Sequence, residues 1–260
     1  MTELKVVEYE KNFYEQEGYI VIKNVFTKQE LSELKLIFEK EWLNMIRENV
    51  IQQDKKSPLN SLFPPIRSVW YENEEFRNWL TKGKLFQIVE SFLGEEALAV
   101  GSTMFFKGPG AKELPMHQDN YDIGAYPKTS CAVWIGIDAT DEENGGLTIV
   151  PKTHTLGMLS PRIPGHKSIY GLAVPIPSGY EKVRIETEIG DVVIFDGDLL
   201  HGSGPNKSDY RFRHAIVTHF AGVSTEKVFV RHDELINKNG EKISRPLNKK
   251  HSIKRLQPSK

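Results

Sequence analysis

Cysteine is almost absent from this chain. Cys131 is the only one among 260 residues, so an internal disulfide is excluded. It lies inside the apolar run CAVWIGI, where a buried and inert thiol is the common outcome. We therefore interpret Cys131 as a core residue and not as a nucleophile.

Long apolar runs are absent as well. No stretch approaches the roughly 20 apolar residues that span a bilayer, and the segment MTELKVVEYEKNF is charged throughout. The sequence also shows no internal repeat and no low-complexity linker. We expect neither secretion nor membrane insertion, and we predict a cytoplasmic location.

An excess of either charge is missing overall, since the formal net charge is −1, but charge is unevenly placed. Residues 236–260 contain eight Lys or Arg against Glu241 alone, a local balance of +7, which leaves −8 for residues 1–235. This basic segment has no interleaved aromatic residues. We interpret it as a solvated or surface-packed C-terminal extension, and we expect neither nucleic acid nor membrane as a partner.

The composition, with 39% hydrophobic and 27% charged residues, is that of an ordinary globular chain long enough for one substantial core. We predict a single domain over 1–235, with a helical layer over about 1–96 and a jelly-roll over about 97–222. The clearest helix follows Thr27, whose spacing to Glu30 is that of a capping box. Its apolar face recurs at steps of three and four: Leu31, Leu34, Phe38, Trp42 and Met45. A second helix is predicted for KLFQIVESFLG, ending at Gly94.

Short strand segments dominate from Ala97 onward, separated by clusters of Gly, Pro, Asn and Asp. They read ALAVGSTMFF, CAVWIGI, GLTIV, KVRIETEI, DVVIF and RFRHAIVTHF, and YIVIKNVF before the first helix reads the same way. In KVRIETEI, Val183, Ile185, Thr187 and Ile189 alternate with charged residues, which predicts one buried and one wet face. The predicted fold is mainly β with α, a β-sandwich or jelly-roll barrel buttressed by N-terminal helices.

His117 and Asp119 form a His-x-Asp step after the turn at residues 108–110. In extended backbone, residues two apart point to the same side, so an imidazole and a carboxylate can bind one metal ion. Alone this step is weak evidence, because an unremarkable surface histidine would give the same pattern.

A third ligand has to come from elsewhere in the fold, and His201 is the candidate. It follows the turn and apolar strand GDVVIFDGDLL, and the turn-rich GSGPNKSDY after it returns the chain as RFRHAIVTHF. The arginines of the return strand thus become neighbours of His201. A metal-chelating 2-oxo acid needs a cation for its distal carboxylate, and Arg213 fits because arginine offers a planar bidentate fork. His219 shares the strand parity of Arg213 but lies six residues further along, about 20 Å at the usual rise, so we do not assign it to the metal.

Two histidines, one carboxylate and open coordination positions are the ligand set of non-haem Fe(II) oxygenases. Three positions then remain for a bidentate 2-oxo acid and O2. A zinc hydrolase or cupin-like isomerase also uses three protein ligands, but it needs no arginine fork downstream. A catalytically silent small-molecule binding protein on the same fold is a further alternative, against which the intact ligand set argues.

With these residues in place, the chain resembles the phytanoyl-CoA dioxygenase family of Fe(II)/2-oxoglutarate oxygenases. Matching segments occur in the family's order over roughly residues 12–220: FYEQEGYIVIKNVFTKQELSEL, MHQD, VWIGIDATDEENGGLTIVPKTH, GDVVIFDGDLLHGSGPNKS and RFRHA. The resemblance implies a double-stranded β-helix of the jelly-roll, cupin-like kind, with Fe(II) held by His117, Asp119 and His201. It also implies 2-oxoglutarate bound through an arginine shortly after the distal histidine, with O2 consumed and succinate and CO2 released.

The position of that arginine departs from the family. Members commonly place it eleven residues after the distal histidine, where this chain has Phe212. Arg211 and Arg213 flank this position and share one strand parity, so pleat direction does not choose between them. We favour Arg213, which begins the Arg-His-Ala-Ile run that resembles the family's Arg-x-Ala, and keep Arg211 as the alternative. Ser203, two residues after His201, is a weaker candidate for a hydrogen bond to 2-oxoglutarate.

The carboxylate of Asp119 favours hydroxylation, or another oxidation that begins with hydrogen abstraction, because related halogenating enzymes have a small residue there. Two long irregular stretches, 51–74 and 157–182, are interpreted as lids that set substrate choice. Their cationic side chains indicate an anionic small-molecule substrate, although solvated surface charge explains them equally well. The candidate substrate contacts are Tyr121, Tyr126, Arg162, His166 and Lys167. Oligomeric state and substrate identity, whether an acyl-CoA, an amino acid or a natural-product intermediate, stay open.

Overall fold

The structure, a computed structural model, describes residues 8–67, 73–161, 173–229 and 234–249. Helices occupy most of its first part, and antiparallel strands most of the rest. The helices are α1 (Glu8–Glu17), α2 (Lys28–Arg47), α3 (Pro58–Leu62), α4 (Glu74–Lys82), α5 (Leu85–Leu93) and α6 (Asn120–Ile123). Within the described ranges, no helix combines the length and the apolar character needed to cross a membrane.

The two helices predicted from sequence form where their end signals lie. Thr27 caps α2 with a complete capping box, in which its hydroxyl accepts from the Glu30 amide and the Glu30 carboxylate accepts from the Thr27 amide. α5 ends at Gly94, which takes the left-handed conformation with φ 72°. Both helices are therefore confirmed.

The strands form two antiparallel sheets in the described part of the chain. The strands are β1 (Tyr19–Ile22), β2 (Ile66–Arg67), β3 (Ala97–Lys107), β4 (Leu114–His117), β5 (Ser130–Gly136), β6 (Leu147–Val150), β7 (Val183–Arg184), β8 (Val192–Asp196), β9 (Leu200–Ser203), β10 (Arg213–Gly222), β11 (Glu234–Ile236) and β12 (Lys242–Ser244). In the major sheet the order is β1-β8-β5-β10-β3-β11-β12, with β2 also paired to β3, and in the minor sheet it is β4-β9-β6-β7.

The major sheet is buried on both faces. In β5, Cys131, Val133 and Ile135 belong to one apolar cluster with residues of α2, α4 and α5. The alternate residues Ala132 and Trp134 belong to a second cluster that includes residues of the minor sheet. The two sheets thus enclose an inner core while the N-terminal helices cover the outer face, which confirms the predicted jelly-roll and the buried position of Cys131.

The strand predicted for KVRIETEI is mostly wrong. Only Val183–Arg184 is a strand, and Val183 and Ile189 are 41% and 38% exposed. Ile185 and Thr187 are buried, the latter in an isolated bridge to Thr140. The alternation therefore predicted the buried residues correctly at its centre, but the regular strand pairing with β6 is limited to Val183–Arg184.

Residues 234–244 extend the major sheet. β11 pairs with β3 through Ile236 and Ala99, and β12 pairs with β11. Leu235 and Ile236 are fully buried. The predicted boundary between a domain ending at 235 and a basic extension over 236–260 falls inside this hairpin, and the division of the chain there stays a prediction.

Candidate metal centre

Two histidines face each other across the minor sheet. His117 ends β4 and His201 lies in β9, and the two are direct partners in the antiparallel pairing. Their ring centroids are 4.2 Å apart. Gly202 allows this close approach of the strands, because a Cβ at its position would lie 2.6 Å from the Leu114 carbonyl oxygen.

Asp119 joins the histidines after the backbone has changed direction. β4 ends at His117, and Asp119 has helical backbone angles as the residue before α6. The expectation that extended backbone brings residues 117 and 119 to one side is therefore wrong, although their side chains do converge. Asp119 Oδ1 lies 3.6 Å from Nε2 of His117 and 3.6 Å from Nε2 of His201. The three possible ligand atoms all lie within 4.8 Å of one another.

This donor set fits a divalent metal ion. Nδ1 of His117 lies 2.8 Å from the Pro115 carbonyl and Nδ1 of His201 lies 3.0 Å from the Leu199 carbonyl. Because a carbonyl only accepts, each Nδ1 carries a proton, which leaves Nε2 of a neutral imidazole with a lone pair. Both lone pairs face the same carboxylate oxygen at a distance too long for a hydrogen bond. A cation between them resolves this arrangement, and two imidazoles with one carboxylate suit Fe(II).

Burial and mutual contact set the charges of these side chains. The pKa of His201 is lowered to about 4, mainly by burial, so its imidazole is neutral near pH 7. Burial alone would raise the pKa of Asp119, but His201 and His219 hold it well below its ordinary value. A neutral imidazole beside an ionised carboxylate is the protonation state that a metal ion requires.

Gln118 connects the segment that carries Asp119 to two neighbouring segments of the chain. Its side-chain amide donates to the carbonyls of Gly157 at 2.8 Å and Asp198 at 2.6 Å, and its Oε1 accepts from the Leu159 amide at 2.7 Å. Asp198 lies in the turn between β8 and β9, which leads to His201. Gln118 is not among the predicted site residues, because a His-Gln-Asp triplet alone does not distinguish it from a solvent-facing glutamine.

A cavity of about 360 Å³ lies beside the three candidate ligands. Arg213 and Ser203 line it, and Arg213 is 3% exposed, with its guanidinium carbon 5.9 Å from the centroid of the Phe105 ring. Apolar side chains cover much of the remaining wall: Ile123, Trp134, Phe195 and Val217. The cavity thus brings together the three candidate metal ligands, a buried arginine and an apolar wall, which suits a small carboxylate.

Lys107 is a second buried basic side chain beside Arg213. The two residues are direct partners across β3 and β10, and Lys107 Nζ donates to Ser203 Oγ at 2.9 Å and to the Gly204 carbonyl. The pKa of Lys107 is lowered to about 6, by burial first and by Arg213 second. A positive charge on Lys107 is thus disfavoured next to Arg213, and a bound anion would favour it. The sequence could not show the contact, because pairing of two distant strands creates it.

Arg211 lies away from this cavity. β10 begins at Arg213, so Arg211 precedes the strand, and its guanidinium binds Asp141 at 2.7 Å and Glu143 at 3.0 Å. Arg211 is not part of the cavity wall. The predicted common strand parity of the two arginines is therefore wrong, and the geometry favours Arg213 as the anchor for a carboxylate.

His219 lies at the metal centre, contrary to its exclusion on distance. Its Nε2 is 3.1 Å from Oδ2 of Asp119. The six residues between Arg213 and His219 do separate the two along β10, but the carboxylate lies at the His219 end of the strand. The distance between His219 and Arg213 therefore gives no information about the distance between His219 and the candidate metal ligands.

The predicted substrate contacts do not meet in this cavity. Tyr121 donates a hydrogen bond to the Leu159 carbonyl, and Tyr126 is 53% exposed, with the Lys227 ammonium 5.6 Å from its ring centroid. Neither tyrosine belongs to the cavity wall. Their roles in substrate binding stay predictions. The remaining candidates lie outside the described residues: Arg162, His166 and Lys167.

Comparison with known proteins gives the relationship. The family model described as phytanoyl-CoA dioxygenase (PhyH) matches residues 14–215, well over half of the chain. The chain belongs to the phytanoyl-CoA dioxygenase family. A peroxisomal phytanoyl-CoA dioxygenase from Bos taurus is 29% identical over 240 residues, covering 85% of this chain and 70% of the relative. Family membership confirms the predicted class of enzyme, a 2-oxoglutarate-dependent non-haem iron dioxygenase, and does not favour the zinc or silent-barrel alternatives.

Solved structures confirm the fold of this phytanoyl-CoA dioxygenase family member. The non-haem α-ketoglutarate-dependent carbocyclase SnoK from nogalamycin biosynthesis matches with a TM-score of 0.68 at 18% identity, covering 98% of this chain and 92% of SnoK. EctD from S. alaskensis, solved with 2-oxoglutarate and 5-hydroxyectoine, matches with a TM-score of 0.65 at 17% identity, covering 87% and 79%. The double-stranded β-helix of the jelly-roll, cupin-like kind is thus confirmed.

Proposed function

We propose that this protein hydroxylates a C–H bond of a small organic molecule, with His117, Asp119 and His201 as its Fe(II) ligands and 2-oxoglutarate as co-substrate. One observation carries the ligand assignment. The Nδ1 atoms of both histidines contact backbone carbonyls, and both Nε2 atoms lie 3.6 Å from the same Asp119 oxygen. This arrangement supports a cation bound between the three side chains.

When bound, Fe(II) with 2-oxoglutarate and O2 supplies an oxidant strong enough to remove hydrogen from C–H, with release of succinate and CO2. The protein's own work is positioning and shielding. Asp119 and the two imidazoles would leave coordination positions free, while Trp134 and Phe195 form part of an apolar wall of the cavity.

The second carboxylate of 2-oxoglutarate is assigned to the buried cations. Arg213 offers a bidentate fork, and Lys107 lies directly opposite it in the sheet. Ser203 Oγ, which accepts from Lys107 Nζ at 2.9 Å, is placed to donate its own proton to the same carboxylate. The three groups come from β10, β3 and β9, so the folded sheets create this anion site.

The primary substrate is proposed to be a small anionic molecule. Support comes from a second cavity of about 520 Å³, in whose wall Arg67 and Lys112 lie together with Glu113 and the two basic residues assigned to 2-oxoglutarate. The bovine relative carries phytanoyl-CoA in its name, whereas EctD was solved with 5-hydroxyectoine, so proteins that share this fold are associated with small molecules of very different size. The cytoplasmic location stays a prediction, since the same relative is named as peroxisomal.

Removal of one proposed ligand tests this function. We expect His201→Ala to lose bound Fe(II) and all substrate-independent turnover of 2-oxoglutarate, measured as metal content after desalting and as succinate formed. His154→Ala is the matched control, because His154 contacts the Glu15 carbonyl at 3.1 Å and lies outside the cavity. A His201→Ala protein that keeps both iron and succinate formation would overturn the assignment.

A further inference from the structure

The carboxylate of Asp119 has a different neighbour at each oxygen. Oδ1 lies 3.6 Å from the Nε2 atoms of both His117 and His201. Oδ2 is buried and lies 3.1 Å from Nε2 of His219. Oδ2 makes no hydrogen bond of good geometry to any described residue, so a small rotation of the His219 ring would supply the missing donor.

A local irregularity of the sheet places His219 there. His219 pairs with Gly101 of β3, whereas the next residue, Phe220, pairs with Ala99, so Val100 is an additional residue in the ladder. Such a β-bulge re-aims side chains and is common beside active sites. Because the partner of His219 is a glycine, no side chain on β3 competes for the space of the imidazole.

His219 is placed to hold the carboxylate and not the metal. The ligand atoms that lie within 4.8 Å of one another come from His117, Asp119 and His201. Nε2 of His219 faces the other oxygen of Asp119, at hydrogen-bonding distance. A hydrogen bond to Oδ2 leaves Oδ1 alone for the metal.

We propose that His219 is a positioning residue that keeps Asp119 monodentate by donating a hydrogen bond from Nε2 to Oδ2. The inference rests on the proposed function and gives a reason for the 3.1 Å contact between His219 and Asp119. One carboxylate oxygen and two imidazoles leave three positions on a six-coordinate ion. A carboxylate bound through both oxygens would occupy one of these three, whereas 2-oxoglutarate needs two and O2 needs one.

The test compares His219→Leu, which removes the donor at similar volume, with His219→Gln, which retains an N–H donor. Each protein is loaded anaerobically with Fe(II) and titrated with 2-oxoglutarate while the visible charge-transfer band of the chelate is followed. We expect His219→Leu to weaken 2-oxoglutarate binding by roughly 10-fold or more and to shift the band, since outer partners of metal ligands typically contribute 10- to 100-fold. His219→Gln should restore most of the affinity and the band position.

His214→Leu is the matched control on the same strand. Its imidazole Nδ1 lies 2.5 Å from Asp138 Oδ2, and the residue is not part of the cavity wall, so band and affinity should stay as in the wild type. Thermal unfolding reports stability separately, and His219→Asn, whose amide is too short to reach Oδ2, replaces His219→Leu if that variant does not fold. A wild type without the band overturns the proposed function itself. If the wild type shows the band, a normal His219→Leu titration, or a loss that His219→Gln leaves uncorrected, overturns this inference alone.

Discussion

At the scale of single residues, the buried cations Arg213 and Lys107 need an explanation. Lysine and arginine are rarely fully buried, and here Arg213 is 3% and Lys107 8% exposed. Lys107 donates hydrogen bonds to the Ser203 hydroxyl and the Gly204 carbonyl, neither of which carries a charge. Burial and the neighbouring Arg213 both disfavour a positive charge on Lys107. An anion bound between the two side chains, as in the proposed 2-oxoglutarate site, would favour the charged form of Lys107.

The two candidate arginines give a direct comparison. Arg213→Gln should weaken 2-oxoglutarate binding by roughly 100-fold or more, because truncating one partner of a buried charge pair typically costs about 2–5 kcal/mol. Arg211→Gln should change it less than about threefold, since its guanidinium binds Asp141 and Glu143 near the surface. Anaerobic titration of the Fe(II) protein with 2-oxoglutarate measures both. Equal losses in the two variants would contradict the placement of the co-substrate carboxylate.

The lowered pKa of Lys107 predicts that protons are taken up when 2-oxoglutarate binds. Arg213 from β10 and Glu113 from the segment before β4 influence this ammonium, and burial, the largest cause, lowers its pKa to about 6. Near pH 7.5 the free site is therefore mostly neutral at Lys107, and an arriving carboxylate favours the protonated form. The affinity for 2-oxoglutarate should then fall as pH rises above about 6. It should level off above the higher pKa that Lys107 has in the complex.

Calorimetry in buffers of different ionisation enthalpy measures this proton uptake at pH 7.5. The observed heat of 2-oxoglutarate binding should depend on the buffer for the wild type and not for Lys107→Met. Identical heats in all buffers for the wild-type protein would show that Lys107 does not change its charge on binding.

At the scale of elements, β10 shows what sequence reasoning reaches and what it misses. RFRHAIVTHF predicts a strand with Arg213 facing inward, and the structure bears this out. Arg211 falls outside the strand, and His219 reaches Asp119 through a bulge whose extra residue lies in β3. A bulge depends on the partner strand, so no pattern within β10 alone could predict it.

The same distinction holds for the other elements. Local signals such as the Thr27 capping box or Gly94 predicted α2 and α5 correctly, because the groups that satisfy the helix ends are near in sequence. The candidate ligands His117 and His201 were predicted from motif and order along the chain, and the structure brings them together. Lys107 was missed because only pairing between β3 and β10 places it opposite Arg213.

The hydrogen bonds of Gln118 connect the segment that carries Asp119 with the turn before β9, and we expect the two segments to be coupled. Gln118→Leu leaves the carbonyls of Gly157 and Asp198 and the Leu159 amide without this partner, which should cost about 3 kcal/mol of unfolding free energy. For a chain of this size the midpoint of thermal unfolding should fall by roughly 5–10 °C. Fe(II) affinity should fall with it, because both connected segments carry proposed ligands.

Thr27→Ala is the matched control for Gln118→Leu. It removes the cap of α2, which packs on the outer face of the major sheet, and should cost about 1 kcal/mol while leaving Fe(II) affinity unchanged. If both variants lose metal in proportion to their loss of stability, Gln118 has no specific role at the metal centre.

At the scale of the whole molecule, the layers separate stability from chemistry. The N-terminal helices and the outer face of the major sheet form one large apolar cluster, and the inner faces of the two sheets form another beside the cavity. His117, Asp119 and His201 all come from the minor sheet and the residue before α6, whereas Arg213 and His219 come from the major sheet. A site shared between two sheets is assembled only when the sandwich is closed.

The most direct measurement is an anaerobic titration of the protein with Fe(II) and then with 2-oxoglutarate, followed in the visible range. The proposed function predicts a weak charge-transfer band that appears only when both are present and saturates at one 2-oxoglutarate per iron. Iron that binds without any such band on addition of 2-oxoglutarate would contradict chelation of the co-substrate at His117, Asp119 and His201.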